Sequence, residues 1–363
     1  MMRSQYKQKF YELYIKEILP LFMDYEPKRR RLLFTFISST VIFSVVLLFN
    51  FYNIVVNKIF CNSTQPEVII MTIITTIISI IILFIVSGMN KKFKKELKSA
   101  CEPIFKKCFH ELVWDKCENF DNDILIKSNL FSSFNREYYD DIFTITHKGV
   151  NVKVVEVHLQ DVQGSGKSRR VYDVFKGVVI VLPSNKTVKA QTVVTTKGDR
   201  NVNNTITGLY VTLISVLLLV ISSIVVRDIF NFILYGVVFI GIIAYYLIIK
   251  RKNKFQGVKL EDVEFDRKFQ VISEDQLEAR YLVTPAFMDR LKGLQTAFGT
   301  QKVKCSFFEN KIMFAISTNK DLFEVGSLFA SLDKSRQVNN FFNELTSILN
   351  LVDHFKLDQS IGL

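Results

Sequence analysis

The sequence predicts a membrane protein with four transmembrane helices plus a cytosolic α+β domain, mainly antiparallel sheet with flanking helices, split by the second helix pair. Three features carry that prediction. Four apolar runs lack any charged side chain, in a chain of 363 residues that is nearly half hydrophobic. Lys and Arg collect beside the same end of each pair of runs. The polar stretches around the second pair alternate with period two in some segments and with helical period in others.

The first run is Leu32–Val56 and the second Val68–Val86; the third and fourth are Ile206–Val226 and Ile229–Ile249. Each holds roughly 19 to 25 residues, enough to cross a hydrocarbon core about 30 Å thick. The first is not a signal peptide, since a long charged segment precedes it and no small-residue cleavage site follows. Lys28–Arg31 precede the first run and Lys91–Lys95 follow the second. Lys197 and Arg200 precede the third, and Lys250–Lys254 follow the fourth. The positive-inside rule then puts both termini and the middle segment in the cytoplasm, and the protein in the cytoplasmic (inner) membrane as a multi-pass chain. The net charge of +12 reads as topology signal with affinity for membrane lipids. No nucleic acid is expected, because no aromatic-plus-basic motif accompanies the charge. Of five cysteines, Cys101, Cys108, Cys117 and Cys305 fall on the reducing side and Cys61 on the oxidising side.

Residues 1–31 form a cytosolic amphipathic N-terminal helix, with Tyr6, Phe10, Leu13, Tyr14, Ile18, Leu21 and Phe22 on one face. It ends at Pro27, and either lies on the membrane or packs on the cytosolic domain. Residues 32–89 are the first helical pair, and 90–123 a juxtamembrane helical stalk. Its helix runs from Lys91 to about Cys117, with Pro103 as a kink point. Residues 124–205 are the first half of the α+β domain, 206–249 a transmembrane hairpin and 250–363 the second half. In the first half, Asp141–Gln160 alternates and breaks at Lys148-Gly149, which predicts a hairpin. Arg169–Pro183 and Val188–Lys197 are further strands. In the second half, Phe265–Ser273 is a strand and Thr284–Phe298 an amphipathic helix. Lys302–Phe308 and Lys311–Ser317 form a hairpin around Glu309-Asn310. A C-terminal helix carries Val338, Phe341, Phe342, Leu345, Ile348, Leu349 and Val352 on one stripe. An even number of spans returns the chain to the same side, so the two halves complete one core.

Two stretches bear a resemblance: "VFKGVVIVL" (Val174–Leu182), and Val258–Leu291 with Glu264-Phe265, Phe269, Asp275, Arg280-Tyr281 and Thr284-Pro285. They resemble a family of uncharacterised bacterial membrane proteins, domain of unknown function 3137, over roughly residues 110–350. The resemblance implies an N-terminal membrane pair followed by a cytosolic domain, and no established activity. The hairpin at 206–249 departs from the family, where a short polar connection is expected.

"DVQGSGKS" imitates a phosphate-binding loop at Gly166, Lys167 and Ser168. The first glycine of such a loop belongs at position 161, which is Asp161, and a β-rich stretch rather than a helix follows. It reads as a hairpin loop. Cys101, Cys108, His110 and Cys117 lack the short spacing of zinc knuckles, and Cys101 and Cys108 read as buried apolar positions. His147, at a turn, and His158, on a strand, read as surface or half-buried. Glu261, Asp262, Glu264, Asp266, Glu274, Asp275 and Glu278 read as a solvated acidic flank. The runs contain no ionisable group that would couple an ion, and Ser38, Ser39, Ser44, Thr72, Thr75, Thr76 and Ser79 read as helix-packing residues.

The sequence thus points to a membrane-tethered cytosolic binding or scaffold module. No catalytic residue, cofactor or metal ligand is expected. Glu264, Asp275, Arg280, Lys167, Arg169 and Arg170 are the candidate interaction surface. The expected partners are membrane lipids and an unidentified protein, and a homo-oligomer is compatible with the pattern. An enzyme with a non-motif acidic site is the second reading, and a transport or channel subunit the third.

Overall fold

The computed structural model describes residues 2–60, 66–109, 111–115, 120–199, 255–300, 302–320, 322–332 and 336–355. The second predicted helix pair, 206–249, lies outside the described residues, as do Cys61, His110 and Cys117. The chain divides into two compact units. One comprises residues 1–112 with 321–346, the other 113–320 with 347–363.

The first unit is helical. Helix α1 (Met2–Leu13), a π-turn (Tyr14–Ile18) and α2 (Leu19–Phe60) follow one another directly, and α3 (Pro66–Cys108) returns beside α2. The helices Tyr6–Val56 and Ile69–Cys108 are long and apolar enough to cross a membrane. Asn50 is buried where α2 meets α3, and its Nδ2 donates to the Thr72 carbonyl (3.3 Å) and to Thr75 and Thr76 Oγ1 (3.1 Å each). Thr72 and Ser79 are buried as expected of packing residues, and their hydroxyls also bond back to their own helix. The N-terminal helix packs its apolar stripe on protein. Phe10 stacks on Phe342 at 4.1 Å and Tyr6 on Phe109 at 5.7 Å, while Ile18 and Phe22 are fully buried.

Two expectations for this unit are corrected. Pro27 does not end the N-terminal helix; it lies inside α2. A proline there forfeits one backbone bond, but Phe22 on one side and a buried Glu26–Arg29 pair on the other hold the helical phase across it. The stalk helix stops at Cys108, not Cys117, although it does run through Pro103. Phe109 and Leu112 are drawn into buried positions, and the chain turns at Glu111 (φ 55°) to become a strand.

The second unit is built on one antiparallel sheet. Its strands are β1 (Val113–Asp115), β2 (Arg136–His147), β3 (Val150–Gln163), β4 (Arg170–Pro183) and β5 (Thr192–Thr196), then β6 (Gln256–Val258), β7 (Phe269–Ser273), β8 (Val303–Phe308) and β9 (Lys311–Ser317). The spatial order is β1-β2-β3-β4-β9-β8-β5-β7-β6. Strands that precede residue 200 and strands that follow 255 are therefore hydrogen-bonded neighbours in one sheet. The helices are α4 (Asn122–Lys127), α5 (Val263–Lys268), α6 (Gln276–Leu282), α7 (Pro285–Phe298) and α8 (Arg336–Phe355), the last shared between the units. The predicted strand Phe265–Ser273 is only half strand. Asp262 accepts from the Phe265 amide (2.9 Å) and caps a helical turn first, so the strand begins at Phe269.

Both hairpins form where the sequence placed them. Lys148 and Gly149 take φ of 52° and 77°, Glu309 and Asn310 of 46° and 57°, which matches two-residue turns with both central residues left-handed. Gly177, in the family-like "VFKG", has a φ of 151°, and a Cβ there would lie 2.1 Å from the Ile316 carbonyl oxygen of β9. Only glycine lets β4 and β9 approach. One sheet face packs Ile142, Val155, Val157, Val193 and Ala315 into a core with Leu125 of α4 and with Phe120 and Leu130 on either side of that helix. On helix α7, Phe287 packs on Phe307 (5.2 Å) and Phe314 (6.3 Å). Every residue of the predicted C-terminal stripe, Val338 to Val352, is buried.

Candidate functional site

The sequence-predicted surface residues occupy three separate places in the second unit. Lys167 lies in a 3-10 turn, Gly166–Ser168, between β3 and β4, and β4 rather than a helix follows. The turn offers none of the successive helix-terminal amides that cradle phosphate. Arg169 and Arg170 beside it are exposed. Glu264, on α5, pairs with Lys268 (2.9 Å) and Lys292 (3.7 Å), and its hydrogen bond from Lys268 holds its carboxyl below the usual range. Asp275 caps α6, accepting from the amides of Leu277 (2.8 Å) and Glu278 (3.4 Å). Arg280 is exposed on the same helix. Strand β7, about 16 Å long at ordinary strand dimensions, lies between the helix that carries Glu264 and the one that Asp275 caps, and the Lys167 turn belongs to strands roughly 19 Å away across the sheet. These residues do not converge on one pocket. The acidic flank is instead explained locally, by two helix caps and by ion pairs to Lys268 and Lys292.

The structure does bring together a group that the sequence did not reveal. The β2–β3 register shifts between Tyr139 and Ile142, so that two residues of β2, Asp140 and Asp141, oppose Glu156 of β3. Ligand oxygens of the three carboxylates all lie within 4.8 Å of one another. Asp141 and Glu156 are buried, Asp140 is exposed, and the Trp114 indole donates to Asp141 at 2.9 Å. Hard divalent cations take oxygen ligands of this kind, and the three carboxylates could supply part of such a set. Adjacent aspartates are visible in the sequence, but the bulge that aims them at Glu156 is a property of the register. Next along β3, His158 bonds to Asp173 (2.8 Å), as does Gln160 (2.8 Å), and these bonds hold the Asp173 carboxyl low.

His147 departs from its expected exposure. It is buried, with Nε2 3.0 Å from Asp353 of α8, and Lys148 pairs with the same carboxylate at 2.7 Å. The hairpin turn fits under the end of the helix, which covers the imidazole. Cys101 and Cys108 are buried on α3, and burial pushes both thiols up to about 12. Burial likewise raises the Cys305 thiol, inside β8, well above its ordinary value. All three behave as buried apolar positions.

At the base of the helix pair a charged clamp closes on the segment that precedes α8. Arg29 donates twice to Glu26 (2.7 and 2.8 Å) and once to the Leu328 carbonyl (2.6 Å). Glu26 in turn accepts from the Leu332 amide (3.1 Å) and from Arg30 (3.0 Å). The Arg29 hydrogen bonds, against the opposing effect of burial, lower the Glu26 carboxyl to about 2. The pair lies before the apolar run that starts at Leu32, and Arg31 and the bulk of Arg30 face outward.

An antiparallel sheet with packed helices, attached to two helices long and apolar enough to cross a membrane, is the class these elements define. Within that class, the chain belongs to the family described as Protein of unknown function (DUF3137), whose model matches residues 173–357. The match runs from β4 past the end of α8, so the family signal begins later than the resemblance from residue 110 implied. No curated protein and no solved structure matches the chain.

Proposed function

We propose that this protein holds an α+β binding or scaffold module at the inner face of the cytoplasmic membrane. In this reading the chain crosses four times, by Leu32–Val56, Val68–Val86 and the two runs within 206–249, with both termini cytoplasmic. Its partners are membrane lipids and a protein, in a form compatible with a homo-oligomer.

The observation that carries the reading is the exposure of apolar side chains along α2 and α3. Phe34 is 73% exposed, Leu48 69% and Phe84 81%, and their neighbours on the same helices resemble them. In water such a continuous apolar surface would far exceed what soluble proteins leave uncovered. Lipid covers it without cost, and Asn50, Thr72, Thr75, Thr76 and Ser79 bond to one another or to their own helix backbones. The basic residues at Lys28–Arg31 and Lys91–Lys95 fit the headgroup level.

Alkaline carbonate extraction tests membrane integration: the protein should stay in the pellet, and its release to the supernatant would sink the reading. Sidedness needs exposed reporters, because Cys305 is fully buried and its silence towards a thiol reagent reports nothing. On intact cells an impermeant maleimide should label Cys61, and should leave Leu277→Cys unlabelled until the cells are opened. Leu277 is 80% exposed on α6, so labelling of that variant in intact cells overturns the cytoplasmic placement.

A further inference from the structure

The segment between β9 and α8 has a feature that its role as a connection does not require. Most of it is tied down: Leu322, Val325, Leu328 and Leu332 are buried, and Gly326 lies so close to α3 that a Cβ would meet Leu97 Cδ2 at 2.5 Å. Yet Phe329, between two buried leucines, is 67% exposed. Its amide donates to Ser327 Oγ (3.2 Å), which fixes the turn that turns the ring outward. The ring meets Phe36 of α2 edge-on, with centroids 5.5 Å apart.

Phe36 sets the level. It lies four residues into the apolar run that begins at Leu32, about 6 Å along the helix axis. Elements that lie in a bilayer interface bury their apolar groups about 5–10 Å into the boundary between headgroups and acyl chains. Below this level sit Arg30, with its side chain 71% exposed, and Arg31, also exposed. An aromatic ring at the acyl boundary with guanidinium groups about one and a half turns beneath it is the arrangement that matches an anionic lipid surface.

We propose that residues 328–332 form an interfacial anchor, in which the Glu26–Arg29 clamp holds Phe329 in the boundary layer of an anionic bilayer. This rests on the membrane reading of α2 and α3, and adds to it a contact supplied by the family-matched part of the chain. The lipid is the occupant because the exposed ring stands against Phe36, inside the apolar run of α2 whose side chains Phe34, Ile37 and Val41 are exposed.

The test uses the full chain, with Cys61 and Cys117 replaced by Ser, in vesicles of phosphatidylcholine and phosphatidylglycerol. Single Phe34→Cys and Phe329→Cys variants carry an environment-sensitive fluorophore, and lipids with a shallow nitroxide serve as quencher. The label at 329 should lose fluorescence to nearly the same extent as the label at 34, and both should resist aqueous iodide. Adding Glu26→Ala and Arg29→Ala should restore iodide access at 329 and leave 34 unchanged. If 34 is quenched by the lipid and 329 is not, the anchor is wrong and the membrane reading stands. If neither is quenched, both fail. If 329 stays quenched after loss of the clamp, Glu26 and Arg29 do not hold it and that assignment is overturned.

Discussion

Lys304 offers the sharpest test of how the sheet is assembled. It sits on β8 and is 2% exposed, with its ammonium 3.1 Å from Asp199 and 3.2 Å from the Leu130 carbonyl. Asp199 is itself nearly buried, and is the last described residue before the apolar segment. Replacing Lys304 by Met keeps the volume but strips the ammonium from a buried carboxylate, which costs about 3–5 kcal/mol in comparable sites. For a unit of this size that corresponds to a fall of roughly 6–20 °C in Tm. The double variant Lys304→Met/Asp199→Leu removes both charges and should recover most of the loss, since a buried pair is rarely better than its apolar replacement. The single tryptophan, Trp114, is buried in the same unit beside Phe143 and reports its unfolding by fluorescence. A shift below about 2 °C for Lys304→Met, or a double variant no more stable than the single, would refute the buried-pair reasoning.

Gly177→Ala should destabilise by about 3 kcal/mol or more, because its φ of 151° and the Ile316 oxygen 2.1 Å from the new Cβ force β4 and β9 apart; an unchanged Trp114 melting midpoint would contradict this. Asn50→Leu should weaken the α2–α3 pair by about 0.6–2 kcal/mol, read as a lower midpoint in an SDS titration of the reconstituted protein. Asp353 is held below its ordinary 3.8, against burial, by hydrogen bonds from Lys148 and His147. Its contribution is present above pH 3.8 and is lost as pH falls through the lower folded value. Asp353→Asn should therefore cost about 1 kcal/mol at neutral pH and flatten the acid limb of the Trp114 profile, and an unaltered acid limb would show that the carboxylate is not linked to folding.

Elements whose signal is periodic and local were legible before the structure. The hairpins at Lys148-Gly149 and Glu309-Asn310, the capped helix opening at Thr284-Pro285 and the stripe from Val338 to Val352 all fall where turn chemistry and spacing put them. What the sequence hid is long-range. Pro27 breaks a helix in isolation, and only the contacts of Phe22, Glu26 and Arg29 keep it inside α2. The stalk continues a helical pattern past Cys108, but Trp114 gains more by pairing with Phe143 in the sheet. The candidate surface was chosen by charge density along the chain, and charge density does not report that β7 separates Glu264 from Asp275. The carboxylates of Asp140, Asp141 and Glu156 depend on a bulge, which shifts the register by one residue and leaves no mark in composition.

The topology also accounts for why a long apolar segment is tolerated between β5 and β6. β5 and β6 both lie antiparallel to β7, and Thr192 and Gln256 both pair with Ser273, so β5 and β6 run parallel with β7 between them. Parallel strands cannot be joined by a tight turn; the connection must carry the chain back from the Phe269 end of β7 to its Ser273 end, a task that needs a dozen or more residues. A short polar link of the expected kind would just suffice. Lengthening such a link to the roughly 60 residues between Thr196 and Gln256 adds only about 1.4 kcal/mol of closure entropy, because that cost grows with the logarithm of length. An insertion within one of the tight hairpins would instead destroy the left-handed turn that sets the register of two strands. The crossover is thus the place where an apolar pair can be added with least penalty to the sheet. The Lys304–Asp199 pair then matters for a second reason: it ties Asp199, three residues past the end of β5, to β8. Lys304→Met should accordingly loosen β5 first, visible as faster amide exchange at Val193 and Val194 than at Val155 and Val157, and uniform exchange across the sheet would contradict that role.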